Sequence, residues 1–188
     1  QFRDYRGYAG QISAGTVSVG DEVTVLPSGL TSTVEAIDFA GTSLTTAFAP
    51  QSVTLRLRDD VDISRGDLIV AATDVPAVTQ DVEGTVSWLA ERPLTPGAKV
   101  LVKHGTKTVQ AIVRAIGGRL DLDSATLVPA DRLELNDIGH VTLRLASAIA
   151  AEEYAQSRGT GAFLLVDGHD GTTLAAGMVG DPLLSAKA

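Results

Sequence analysis

Three histidines, His104, His140 and His169, are the only imidazoles in a chain that has no cysteine. Cysteine's absence removes disulfides, thiolate metal sites and thiol nucleophiles together. The histidines stand far apart, and none has a second ligand at metal-binding spacing. The segment Asp167-Gly168-His169-Asp170-Gly171 does gather two carboxylates around an imidazole. An EF-hand loop, however, needs acids at alternate positions and a glutamate at the twelfth, and this stretch runs into an apolar segment instead. It reads as a hairpin tip. His104 reads as a turn residue and His140 as a strand-edge residue.

Other chemistries fail on the same ground. No Gly-x-Ser-x-Gly elbow is present. No Gly-x-x-x-x-Gly-Lys-Ser/Thr phosphate cradle occurs either, and the single asparagine, Asn136, precedes Asp137 rather than a lysine. Guanine therefore has no reader here. The Asp-x-x-Gly quartets at Asp4 and Asp38 read as turns. Grouped acids (Asp59, Asp60 and Asp62; Glu152 and Glu153) are what any acidic surface carries. The residues name no catalytic group, no cofactor ligand and no metal ligand. Arg65-Gly66-Asp67 has the composition of an adhesion signal, yet it runs directly into Leu68-Ile69-Val70. It is expected to form the turn into a strand, with Gly66 supplying backbone freedom.

The elements around these residues are short and β-rich. Glycines punctuate runs of Val, Thr, Leu and Ile, the pattern of an all-β barrel or sandwich. Ser52–Arg58 alternates Val53, Leu55 and Leu57 against Thr54, Arg56 and Arg58, as a half-buried strand does. Hairpins are predicted at Pro27-Ser28-Gly29, at His104-Gly105 and at Gly168–Gly171. Ala148–Gln156 has room for a turn or two of helix but no sustained apolar stripe. Pro76 and the loss of periodicity around it mark a boundary, dividing the chain into 1–75, 76–180 and a patternless tail at 181–188.

Net charge is −8, and the bases are scattered along the chain. Nucleic-acid binding, which rests on a basic stripe, is disfavoured. No apolar run approaches the roughly 20 residues that span a bilayer, so no membrane partner is expected, and the absence of cysteine fits a cytoplasmic location.

A resemblance joins these pieces. Arg6–Gly29 resembles the second domain of translation-factor GTPases such as elongation factor Tu, with a Gly-rich hairpin followed by Val-Ser-Val-Gly-Asp-Glu-Val. Val25–Gly29, Asp60–Val70, Leu135–Leu145 and Thr160–Val179 together resemble the large (GTPase) subunit of bacterial ATP sulfurylase, including forms fused to adenylylsulfate kinase. The resemblance implies two small antiparallel β-barrels in tandem, of the translation-factor domain II and domain III types. It also implies a GTP- and Mg-binding domain preceding Gln1, and a separate small subunit that makes adenylylsulfate from ATP and sulfate, driven by GTP hydrolysis. In that scheme the barrels have no activity alone. They dock the GTPase domain and the small catalytic subunit of sulfate adenylyltransferase. The alternative is a tRNA- or ribosome-binding barrel pair of a translation factor.

Overall fold

A computed structural model describes residues 5–181. Apart from Asp181, the tail at 181–188 lies outside the described residues, as does Asp4 of the first Asp-x-x-Gly quartet. The chain forms two compact units that divide after Pro76.

Unit 1 contains β1 (Tyr8–Gln11), β2 (Thr16–Ser18), β3 (Glu22–Leu26), β4 (Leu30–Phe39), β5 (Thr42–Leu44), β6 (Thr46–Phe48), β7 (Ser52–Leu57) and β8 (Leu68–Ala71). All pairs are antiparallel, in the order β1-β7-β4-β3-β8, with β5 beside β4 and β2 paired to β6. Val23, Val34, Ile37, Ala47, Val53 and Leu57 form its core. The alternation read in Ser52–Arg58 holds, since Val53 and Leu57 are buried and Leu55 packs against them. On β3 the burial is two-sided. Val23 and Val25 are buried, and so are Thr24 between them and Leu26 after them.

Unit 2 contains β9 (Val78–Trp88), β10 (Lys99–His104), β11 (Lys107–Asp121), β12 (Thr126–Val128), β13 (Ile138–Ala150), the single turn α1 (Arg158–Gly161), β14 (Ala162–Val166) and β15 (Thr173–Val179). The order β10-β14-β15-β9-β13-β11 closes because β10 also pairs with β11, and β12 hangs off β11 as a hairpin arm. Every strand of the ring thus has two hydrogen-bonded neighbours. A closed antiparallel ring has no edge to template aggregation.

The ring's interior is filled by alternate residues of each strand, as small barrels require. Val100, Ala111 and Leu145 share one row across β10, β11 and β13, while Val102 faces both Val109 and Leu165. Trp88 is 1 % exposed and donates its indole N–H to the Arg92 carbonyl (2.8 Å), so its polar atom is satisfied within the fold. Phe163 needs space that only glycine leaves. A Cβ on Gly177 would lie 2.3 Å from the Phe163 ring, and one on Gly84 would lie 2.5 Å from the Met178 carbonyl oxygen.

Helix at Ala148–Gln156 is not found. Residues up to Ala150 continue β13, where Ile149 pairs with Thr79 across from β9, and the helical turn comes later at Arg158–Gly161. Burial of Ile149 among the barrel's core residues outweighs the weak helical propensity of an Ala-rich run. His140 is likewise no edge residue, because it sits between Thr85 of β9 and Gly118 of β11.

One turn recurs three times. In Ser18–Asp21, Ser64–Asp67 and Glu134–Asp137 the last residue's N–H donates to the first residue's carbonyl (3.1, 3.0 and 3.0 Å). The last residue's carboxylate accepts the first residue's N–H at 2.8 Å each time. The third position has φ of +96°, +100° and +68° at Gly20, Gly66 and Asn136, the left-handed conformation that such a turn demands. The arginine-glycine-aspartate tripeptide is one copy of this device, entering β8.

Two further carboxylates cap tight turns. Asp121 accepts the N–H groups of Ser124 and Asp123, and Asp170 accepts that of Thr172. The Ser124 N–H holds Asp121 below the usual carboxylate value, and the Thr172 N–H does the same for Asp170.

Three outcomes are expected. Gly177→Ala overpacks the barrel and lowers unfolding stability by about 1–3 kcal/mol in a urea titration, with the loss reduced in a Phe163→Leu background. Gly66→Ala forces a Cβ into the left-handed region and costs about 1–2 kcal/mol, whereas Asn136→Gly is neutral or stabilising in the same assay. Because Asp121 and Asp170 titrate below their unfolded values, their stabilisation is complete above about pH 4 and disappears as pH falls through the lowered native values. The double variant Asp121→Asn/Asp170→Asn therefore flattens the acid limb of the stability profile and leaves the neutral region's slope unchanged.

Candidate functional site

Most of the carboxylates that resembled chemistry are engaged in local structure. At the Asp167–Gly171 tip, Asp167 accepts the His169 N–H (2.8 Å) and the Arg92 guanidinium (2.7 Å), while Asp170 faces back to Thr172. Among the described residues no group of three His, Asp or Glu side chains is placed to hold a metal ion. His104 lies at the end of β10 with Nε2 2.6 Å from the Thr160 carbonyl oxygen. Asp59 accepts the Ser32 hydroxyl (2.8 Å), Asp60 pairs with Arg6, and Glu152 accepts the Thr160 hydroxyl. Ala40 and Gly41 of the second Asp-x-x-Gly quartet are the two left-handed residues of the β4–β5 turn. Its Asp38 accepts the Tyr5 hydroxyl (2.9 Å) and lies 3.5 Å from Arg56 Nε. The Asp38 hydrogen bond favours the neutral phenol and raises the Tyr5 pKa.

What the structure assembles instead is a surface. Outward positions of β10 are Lys99, Leu101 and Lys103, because Val100 and Val102 point inward. Cross-strand register aligns Lys99, Ile112 and Arg144 in one row and Gln110, Leu101 and Val166 in the next. A third row holds Thr108, Lys103 and Leu164. A groove of about 580 Å³ lies over the first two rows and reaches the Asp167–His169 tip. Arg144 pairs with Asp81 (2.6 Å) and Arg92 with Asp167 (2.7 Å) at its margins.

This clustering escaped the linear reading, in which the bases looked scattered. One signal was available. In Val109–Arg114 the inward residues are Val109, Ala111 and Val113, so Ile112 occupies a position where a polar residue is expected. Among the described residues, no helix is long and apolar enough to cross a membrane.

Comparison with known proteins follows the same division of the chain. Residues 81–180, within unit 2, match the family model described as GTP-eEF1A C-terminal domain-like. Sulfate adenylyltransferase subunit 1 of Methylorubrum extorquens (strain PA1) is 44% identical over 185 residues, covering 98% of this chain and 39% of that protein. The bifunctional enzyme CysN/CysC of Mycobacterium tuberculosis (strain ATCC 25618 / H37Rv) is 41% identical over 181 residues, covering 95% of this chain and 30% of that protein. Among solved structures, sup35 complexed with GDP superposes with a TM-score of 0.81 at 23% identity, over 93% of this chain and 45% of that one. That likeness concerns the fold, and it agrees with the tandem-barrel expectation. The chain spans about two fifths of the length of the sulfate adenylyltransferase relatives. It belongs to the GTP-eEF1A C-terminal domain-like family, as a homologue of sulfate adenylyltransferase subunit 1.

Proposed function

We propose that this chain is the non-catalytic β-barrel part of a sulfate adenylyltransferase large subunit, acting in the cytoplasm in sulfate activation. Identity of 44% across 98% of the chain with a sulfate adenylyltransferase subunit 1 carries this reading. In the proposed role the barrels hold a GTPase domain of the same parent protein and the small subunit that forms adenylylsulfate from ATP and sulfate. Nucleotide state then reaches the small subunit as a change in domain position. The engagement of Asp121, Asp167 and Asp170 in turns and ion pairs supports a part that works by contact.

Size-exclusion chromatography of the chain mixed with the cognate small subunit and GTPase domain tests the role. A co-eluting complex with at least one of them is expected, and separate elution from both would sink the proposal. Alone, the chain is expected to give no adenylylsulfate from ATP and sulfate and no GTP hydrolysis. Titration of labelled RNA at low and moderate salt separates this role from a translation-factor one, because phosphate contacts would produce a steep salt dependence. No such dependence is expected.

A further inference from the structure

We infer that the outer face of β10, β11 and β14 in unit 2 docks a protein segment that carries aliphatic and acidic side chains together on one face. The inference concerns the surface itself and stands apart from the sulfate adenylyltransferase reading.

The outer face of a closed barrel faces water and is ordinarily polar. Here Ile112 on β11, Leu101 and its neighbour Val166, and Leu164 on β14 make an apolar diagonal across three adjacent strands. Ile112 is 43% exposed and Leu164 36%. The position of Gly168 extends this floor, since a Cβ there would contact the Leu101 side chain at 3.9 Å. Lys99 and Lys103 flank Leu101 on the same strand and are exposed, with no ion-pair partner among the described residues. In a chain of net charge −8 this pairing of free ammonium groups with exposed aliphatic surface is a local reversal. It complements carboxylates placed beside apolar side chains.

The ring's closure limits how such a segment is held. Strands β10 and β14 already have hydrogen-bonded neighbours on both sides, so a ligand cannot add as a further strand. Recognition falls to side chains, with aliphatic residues over Ile112 and Leu101 and carboxylates against Lys99 and Lys103. A nucleic acid suits the face less well. A phosphate backbone carries charge at every residue and would leave the apolar floor of Ile112 and Leu101 facing charge.

Fluorescence anisotropy on the full chain tests the idea with a fluorescein-labelled nine-residue peptide in which leucine pairs alternate with aspartate-glutamate pairs, so that each face of the extended peptide carries both types. Saturable, salt-weakened binding is expected. Ile112→Asp and the double variant Lys99→Glu/Lys103→Glu should each weaken it about tenfold. Leu122→Asp should not, although Leu122, on the β11–β12 arm, is 77% exposed. Both altered sites face outward, so circular dichroism should show the fold intact. No saturable binding would overturn the inference. Equal weakening by Leu122→Asp, equal affinity for a leucine/lysine peptide, or tighter binding of a single-stranded oligonucleotide would overturn it as well.

Discussion

Strand β10 pairs with β14 on one side and with β11 on the other, and that double pairing shuts the ring of unit 2. Closure fixes the strand register, and register decides which side chains face inward. The interior must then be filled to close packing without strain. Phe163 fills it only because Gly177 and Gly84 carry no Cβ, and Trp88 fits because its N–H finds the Arg92 carbonyl. With both backbone edges of each ring strand consumed, no further strand can add to the ring.

Local features of this architecture were legible in the sequence. The hairpins at Pro27–Gly29, His104-Gly105 and Gly168–Gly171 were readable because a turn depends on a few adjacent residues with particular backbone preferences. The Arg65-Gly66-Asp67 turn was readable for the same reason. Its equivalence to Ser18–Asp21 and Glu134–Asp137 was less plain, since Asn136 stands where the other two have glycine. The all-β class followed from the abundance of β-branched residues and from alternation such as that of Ser52–Arg58.

Long-range pairing was not legible. Nothing within Lys99–Lys103 indicates that β14, some sixty residues on in the chain, will lie beside it. The alignment of Lys99, Ile112 and Arg144 is a consequence of ring closure, so the bases seemed scattered until the strands were placed. Ala148–Ala150 could be read as helical because three alanine-rich residues say little by themselves; the pairing of Ile149 and Ala150 with β9 settled them as strand. His140 was misplaced for a similar reason, since its two neighbours come from β9 and β11.

Several carboxylates, Asp121, Asp167 and Asp170 among them, are held in turns and ion pairs, and the role proposed for the chain rests on its surfaces. Hydrogen–deuterium exchange of the chain, with and without the small sulfate adenylyltransferase subunit proposed as its partner, tests that proposal most directly. Buried strands such as β9 and β13 should exchange slowly in both states, as amides that open only with the whole unit. Addition of the small subunit should slow exchange in a contiguous set of outward-facing turns and strand ends. Identical exchange at every segment in the two states, with a folded and active small subunit present, would contradict the account.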